Sequence, residues 1–274
     1  MSDFLKTLPQ YLLPQHAISR LLGSLSNCRR PQNLKNWAIK KFIDHYGVNL
    51  SEAIQPDYQQ YVSFNDFFTR KLLPKARLIN PDPNAIVSPA DGSISEIGKI
   101  HANKLIQAKG HEYTVRDLLG GDSETAAGFE NGAFATLYLS PKDYHRVHMP
   151  CSGHFLKKIH IPGKLFSVNS RTTRVVPNLF ARNERVVTFF QTDIGKMAVI
   201  FVGAMIVGNI IMTAQEDSLL EKGGELGYFQ LGSTVIILFE ANQMAWQKTF
   251  RAGSAIKMGQ LLGEKKDGVT DLSH

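Results

Sequence analysis

An α+β fold is predicted by three observations: helical hydrophobic periodicity in the first 80 residues, short β-branched runs from about residue 85 onward, and no regular strand–helix–strand alternation. A chain of 274 residues with 43% hydrophobic content can bury a full core, as one large domain or as a domain with an appendage. The expected division is a basic helical region over 1–80 and a β-rich body over 81–274. No internal repeat or low-complexity tract interrupts either part.

The first helices follow from spacing. Ile18, Leu21, Leu22 and Leu25 fall at i, i+3, i+4 and i+7, as do Ile39, Phe42, Ile43 and Tyr46, so two amphipathic helices are expected. A third is expected over 63–72, where Ser63 and Asp66 have capping-box spacing and Phe64, Phe67, Phe68 and Leu72 share a face. Pro74, Pro81 and Pro83 end the helical region. Strands are then expected at 85–87, 134–139, 185–190, 198–202 and 235–239, where apolar residues alternate or run continuously. The apolar stretch 197–212 is broken by Gly203, Gly208 and Asn209 and is shorter than the roughly 20 residues of a spanning helix, so it reads as buried strands.

Charge is unevenly placed. Residues 1–80 hold eleven Lys or Arg against five Asp or Glu, which is six of the chain's seven net positive charges. Arg29, Arg30, Lys35, Lys40 and Lys41 flank the two amphipathic segments, and an apolar face with basic flanks suits an anionic membrane surface. The same periodicity also suits helices packed on the protein's own core. Nucleic acid is not an expected partner, because the aromatics here occupy apolar helical positions and form no stacking platform. Cys28 and Cys151 offer no disulfide framework, and the sequence opens with no basic segment leading into an apolar one. The expected location is therefore the cytoplasmic face of the membrane, held peripherally.

Chemistry is suggested by Leu231-Gly232-Ser233-Thr234, which opens the apolar run Val235-Ile236-Ile237-Leu238-Phe239. A serine after glycine at the mouth of a buried strand can attack the peptide bond behind it, since glycine leaves its carbonyl unshielded and tolerates strained dihedrals. The amide becomes an ester, elimination releases the upstream chain, and hydration of the resulting dehydroalanine with loss of ammonia leaves a pyruvoyl group. Gly-Ser also occurs at Gly23-Ser24, Gly92-Ser93 and Gly253-Ser254, so the dipeptide alone signals only a turn. Two further segments add the parts of a triad: Ser88-Pro89-Ala90-Asp91-Gly92 supplies a carboxylate, and Tyr144-His145-Arg146-Val147-His148-Met149-Pro150 supplies two histidines. The spacing of His145, His148 and Cys151, with His154 and His160 following, makes a zinc site conceivable. Residues three apart on an extended segment point to opposite faces, and no second cluster completes a tetrahedral shell, so no metal is assigned.

These segments, with Phe64-Asn65-Asp66-Phe67-Phe68-Thr69-Arg70, Pro162-Gly163-Lys164-Leu165-Phe166-Ser167-Val168-Asn169 and Lys222-Gly223-Gly224-Glu225-Leu226-Gly227-Tyr228-Phe229, resemble the bacterial phosphatidylserine decarboxylase proenzymes. The resemblance runs from about residue 60 onward in the family's order. The first 60 residues match only in general character, and 175–193 carry no recognised motif. It implies a sandwich-like β body that keeps its large and small fragments in one fold after cleavage between Gly232 and Ser233. It also implies that Asp91, His148 and Ser233 form the self-cleavage triad, that His145 serves decarboxylation as acid or base, and that Ser167 and Asn169 line the substrate pocket. Ser167 and Asn169 could equally terminate a strand. The implied cofactor is a covalent pyruvoyl group made from Ser233, which accepts the electron pair left on Cα when carbon dioxide departs; no pyridoxal phosphate is implied. The implied substrate is phosphatidylserine. The alternatives are a pyruvoyl-dependent decarboxylase of a soluble amino acid, or an unprocessed β-rich binding module. A homo-oligomer is compatible with the sequence, which does not set the oligomeric state.

Overall fold

The computed structural model describes residues 7–108, 111–205, 209–230 and 233–266. Its helices are concentrated near the N-terminus and its body is built from antiparallel sheets, the α+β arrangement expected.

The two long helices span Gln15–Asn27 and Gln32–Tyr46, after a short turn of helix at Pro9–Leu12. Gly47 ends the Gln32–Tyr46 helix in a left-handed conformation (φ 68°), its N–H closing on the Ile43 carbonyl, a conformation that costs glycine little. The two helices use their faces differently. Gln15–Asn27 buries Gln15, Ser19 and Ser26 and leaves Leu21 and Leu25 outward, at 62% and 57% exposure. Its polar side holds the body: Gln15 Oε1 accepts the Leu165 N–H at 2.7 Å, and His16 Nε2 lies 2.8 Å from the Gly163 carbonyl. The Gln32–Tyr46 helix instead buries Ile39 and packs Phe42 and Ile43 against Val48, Tyr61, Phe67 and Phe68, while Leu34 and Trp37 stay exposed. Lys35 is not a free surface cation, because its buried ammonium donates to the Gln59 and Tyr61 carbonyls.

The helix expected over 63–72 is shorter, Phe64–Phe68. Its start is as expected: Ser63 Oγ accepts the Asp66 N–H, and Asp66 reaches back to the Val62 N–H. It stops at Phe68 because the following residues are claimed by an antiparallel bridge between Ala53 and Leu72, with Ile54 N–H on Lys71 and Leu73 N–H on Glu52. Thr69 Oγ1 donates to the Asn65 carbonyl and closes the last turn.

The body centres on an eight-stranded sheet in the order Leu219–Leu220, Gly153–Ile161, Arg185–Thr192, Gly195–Gly203, Ser233–Phe239, Ala133–Leu139, Gly92–Lys99 and Ala255–Ile256. The Ser233–Phe239 strand is paired on both sides and all seven residues are buried, which explains its unbroken apolar sequence. Val235, Ile237 and Phe239 enter one core and Ile236 and Leu238 the other. Two three-stranded sheets contribute to the first core: Ala85–Val87, Leu261–Lys265 and Met244–Trp246 supply Ile86, Leu262 and Met244, and Ile210–Met212, Glu225–Phe229 and Arg146–His148 supply Phe229 and Val147. This is the sandwich-like layer. Across the sheet, the Lys104–Ala108 and His111–Thr114 hairpin and the helices Val115–Leu118 and Leu179–Arg182 supply the second core. The stretch 197–212 contributes the Gly195–Gly203 strand and the Ile210–Met212 strand. Among the described residues no helix is long and apolar enough to cross a membrane.

Candidate active site

Ser233 is the first residue of the central strand, in register between Leu139 and Gly203, and is fully buried. By alternation it shares a face with Val235 and Ile237, toward the core beneath the smaller sheets. The expected scissile partner Gly232, with Leu231, lies outside the described residues.

The strand paired with Ser233 at Leu139 delivers the first histidine. After Leu139 the chain turns at once: Asp143 N–H donates to the Ser140 carbonyl at 2.9 Å, and Asp143 Oδ2 accepts the Ser140 N–H at 2.7 Å. This turn brings His145 back over the strand start. Its Nδ1 stands 3.2 Å from Ser233 Oγ, and its Nε2 lies 3.1 Å from the Ser140 carbonyl. A carbonyl can only accept, so Nε2 carries the hydrogen and the lone pair of Nδ1 faces the serine hydroxyl. The ring is wholly buried and stacked on Phe68, centroids 4.1 Å apart. Burial, assisted by the positive charge of Arg70, pushes its pKa down to about 3. At neutral pH it is therefore an uncharged proton acceptor aimed at Ser233.

His148 faces elsewhere. Its Nδ1 lies 2.9 Å from the Gly223 carbonyl and so carries the hydrogen, leaving Nε2 to accept from the Tyr144 hydroxyl at 3.1 Å. Gly223 holds that carbonyl from a left-handed conformation (φ 81°), which accounts for glycine in the Gly223-Gly224 pair. Burial lowers the basicity of His148, while the Gly223 carbonyl, Glu225 and Asp91 act in the opposite direction. Tyr144, also buried, has its phenol pKa raised chiefly by desolvation.

Asp91 sits in the segment running beside His148, whose N–H donates to the Pro89 carbonyl at 2.8 Å. Its carboxylate accepts a forked pair of bonds from Arg77, with Nε at 2.8 Å from Oδ1, and the Met258 N–H at 2.9 Å. Arg77 also binds Glu52 at 2.9 Å, and burial, which works to lower its pKa, is outweighed by these two carboxylates. Adjacent Gly92 lies against the Tyr138 backbone, where a Cβ would collide with the carbonyl oxygen.

The expected residues are thus gathered in one buried neighbourhood, but their contacts differ from the expected order. Among the described residues, the Ser233 hydroxyl donates to His145, while Asp91 acts on His148 through its charge and not through a bond. The reason is local competition: Arg77 and Met258 occupy the Asp91 oxygens, and Gly223 and Tyr144 occupy the His148 ring. Ser167 and Asn169 lie apart from this cluster in bonding. Asn169 Oδ1 caps the helix Ser170–Thr173 through the Arg171 and Thr172 N–H groups, and its Nδ2 donates to Ser167 Oγ at 2.8 Å. Cys151 is buried against Met197 with its thiol pushed up to about 12, the state of an inert structural cysteine.

Two cavities flank the strand start. One of about 530 Å³ is lined by Asp91, Gly92, Tyr138, Ser140, Asp143 and Lys257, and one of about 370 Å³ by His16, Arg20, Leu165, Glu184, Gly203 and Asn209. Tyr144 and Arg70 stand within the family-like motifs but carry no sequence signal that marks a role. Arg77 carried no sequence signal at all, since its partner lies 14 residues on, across a turn.

Known proteins resemble the chain along most of its length. A family model described as phosphatidylserine decarboxylase matches residues 64–264, and a second, described as PSD, matches residues 5–47. The chain is 47% identical to the phosphatidylserine decarboxylase proenzyme of Marinobacter nauticus, covering 96% of this chain and 99% of that protein. It is 48% identical to the corresponding proenzyme of Pseudomonas putida over the same shares, and 46% identical to that of Bordetella petrii over 94% and 96%.

Proposed function

The chain belongs to the phosphatidylserine decarboxylase family, and from that membership we propose how its own residues mature the enzyme and turn over its substrate. It is a proenzyme that decarboxylates phosphatidylserine to phosphatidylethanolamine. The observation that carries the reading is the hydrogen bond between buried Ser233 and a neutral His145 at 3.2 Å.

In maturation, Ser233 Oγ attacks the Gly232 carbonyl carbon as its proton passes to a histidine, and the amide C–N bond gives way to an ester. Removal of the Ser233 Cα proton then expels the Gly232 carboxylate, leaving dehydroalanine, which takes up water and releases ammonia. The new N-terminal pyruvoyl group supplies the electron sink for decarboxylation. The residues present fit such a group: its parent serine is wholly buried, at a strand start, and within reach of a proton carrier.

The resemblance assigns the processing proton to His148 with Asp91, leaving His145 to return a proton to the substrate's Cα. Asp91 supports this assignment by raising the basicity of His148. A second reading, favoured by the 3.2 Å contact, gives the Ser233 proton to His145. Ser167 and Asn169 are proposed to border the substrate just before the short helix that Asn169 caps.

The division into a lipid-facing region, 1–80, and a catalytic body, 81–274, belongs to the same proposal. Leu21, Leu25, Leu34 and Trp37 are exposed beside Arg29, Arg30, Lys40 and Lys41, a combination suited to peripheral binding on an anionic bilayer. Intact mass of the purified chain tests the core of the reading: two fragments meeting at Gly232 and Ser233, the second with a blocked N-terminus, are expected. A single uncut chain that is active on phosphatidylserine would overturn it.

A further inference from the structure

The cavity of about 370 Å³ beside the strand start opens on the face of the sheet that carries the Ser233 hydroxyl. Ser233 and Gly203 stand opposite each other in an antiparallel pair, so both project to the same side, with Cα atoms about 4.5–5.5 Å apart. A Cβ built on Gly203 would lie 3.5 Å from Leu165 Cδ2 and 3.9 Å from Ile210 Cδ1, and both of those side chains line the cavity. The opposite wall is the Gln15–Asn27 helix, which presents His16, Ser19 and Arg20 from one face. His16 fastens that wall to the body through the Gly163 carbonyl.

Arg20 is exposed and largely unused. Its Nε leans on the His16 carbonyl at 3.4 Å, whereas Nη1 and Nη2, which together form the end of the guanidinium, have no partner among the described residues. Arg20 also borders a second cavity, of about 320 Å³, shared with Lys164 and Arg182 and lined by no carboxylate. Among the described residues none of these three cations has a carboxylate in ion-pair contact. Glu184, the carboxylate of the first cavity, is engaged by His160 Nε2 at 2.9 Å. An excess of positive charge with a free two-donor edge is a setting for an oxyanion.

The neighbours of Arg20 say which one. Leu21, next in sequence, is among the outward residues proposed to meet the bilayer, while the cavity leads from Arg20 toward Ser233. The proposed substrate carries two anionic groups near its amine, the carboxylate that is lost and the phosphodiester that stays. A cation bonded to the departing carboxylate would favour the ground state over the transition state and slow the reaction. The phosphodiester keeps its charge throughout and lies between the acyl chains and the reacting amine.

Resting on the reading above, we propose that Nη1 and Nη2 of Arg20 bind the phosphodiester of the lipid headgroup, with Lys164 and Arg182 adding charge, and so set the preference for phosphatidylserine over free serine.

The test uses the processed enzyme with Arg20→Gln and Arg20→Lys, after fragment masses and thermal melting establish cleavage and folding. With monomeric dihexanoyl phosphatidylserine, Arg20→Gln should raise KM roughly tenfold to hundredfold and keep kcat within about threefold. Arg20→Lys, which keeps the charge but loses the fork, should fall between. Inhibition by glycerophosphoethanolamine should weaken by the same factor, and inhibition by ethanolamine should not change. An unchanged KM accompanied by weaker binding to phosphatidylglycerol vesicles would make Arg20 a bilayer contact only and overturn the proposal, as would an unchanged KM alone, equal weakening of both inhibitors, or a folded Arg20→Gln that stays uncut. Should Arg20→Gln not fold, Arg20→Lys decides by the same criteria. If the wild-type protein cleaves but turns over no phosphatidylserine, the function reading fails instead. Binding of glycerophosphoethanolamine to wild-type and Arg20→Gln protein, read by NMR saturation transfer, then decides the role of Arg20: weaker binding by the variant supports it, and equal binding overturns it.

Discussion

His145 Nδ1 and Ser233 Oγ face each other at 3.2 Å, although 88 residues separate them in the chain. The pairing depends on the Ser140 carbonyl, which by taking the Nε2 hydrogen leaves Nδ1 bare toward the hydroxyl. A hydroxyl and an uncharged ring with a bare lone pair thus lie together fully buried, an arrangement that suits proton transfer from serine to imidazole.

Self-cleavage is therefore expected to require the Ser233 hydroxyl. The wild-type chain should yield a large fragment ending at Gly232 and a small one running from residue 233 to 274, the latter lighter by one ammonia than simple hydrolysis would make it. Ser233→Ala should remain one chain in the same mass measurement. A free N-terminal serine on the small fragment would rule out the pyruvoyl route.

The two histidines should separate by variant. On the leading assignment, His148→Ala and Asp91→Asn block or slow cleavage, and losing the carboxylate of a triad costs up to about 10⁴ in rate. His145→Ala should then cut and turn over poorly. On the assignment that follows the contact, His145→Ala stays uncut while His148→Ala matures. A time course of cleavage on gels, followed by decarboxylation assays of whatever matures, distinguishes the two.

Acid should destabilise the uncut protein through its buried histidines. The His145 pKa is held at about 3 in the fold, against about 6.5 unfolded, and that of His148 is shifted in the same direction. Between those values the unfolded chain binds a proton that the fold does not. For His145 the stabilisation is thus fully present above about pH 6.5 and is lost as pH falls toward 3, with a slope approaching about 1.4 kcal/mol per pH unit, and His148 adds to it in the same direction. Denaturant unfolding of Ser233→Ala protein at pH 5, 6 and 7 should follow this trend, and adding His145→Gln should flatten it. An identical slope with and without His145 would contradict the assignment.

Membrane contact should depend on the outward residues of the two long helices. Replacing Leu21, Leu25, Leu34 and Trp37 with Ser or Gln should weaken sedimentation with phosphatidylserine vesicles and leave cleavage intact, because these side chains are 57% to 62% exposed. The basic residues Arg29, Arg30, Lys40 and Lys41 should contribute a salt-sensitive part of about 1 kcal/mol each near the surface. Phe42 and Ile43 make poor tests, since they pack beside Ile39 and Phe67 and their loss would weaken the fold itself. Equal vesicle binding by the fourfold variant would count against this face.

Much of the architecture was legible in the chain because it follows from short-range rules. Spacing of three and four marked the two long helices, Ser63 with Asp66 marked a helix start, and an unbroken run after Ser233 marked a strand buried on both faces. The length of the Phe64–Phe68 helix was not legible, since a bridge from Leu72 to Ala53 overrode the continuing apolar pattern. Nor was the facing of the Gln15–Asn27 helix, where polar side chains found backbone partners on the body and turned the leucines outward.

At the site, residue types and motifs sufficed to name Asp91, His145, His148 and Ser233, and the three-residue spacing of the histidines sufficed to send them to different faces. Which of them meets the serine is a matter of register. Leu139 pairs with Ser233, and the Ser140 to Asp143 turn immediately after it returns His145, not His148, to that strand end. The engagement of Asp91 by Arg77 is likewise tertiary. Such contacts join residues through folded strands and turns, so their partners are set by three-dimensional packing and leave no periodicity for a sequence to display.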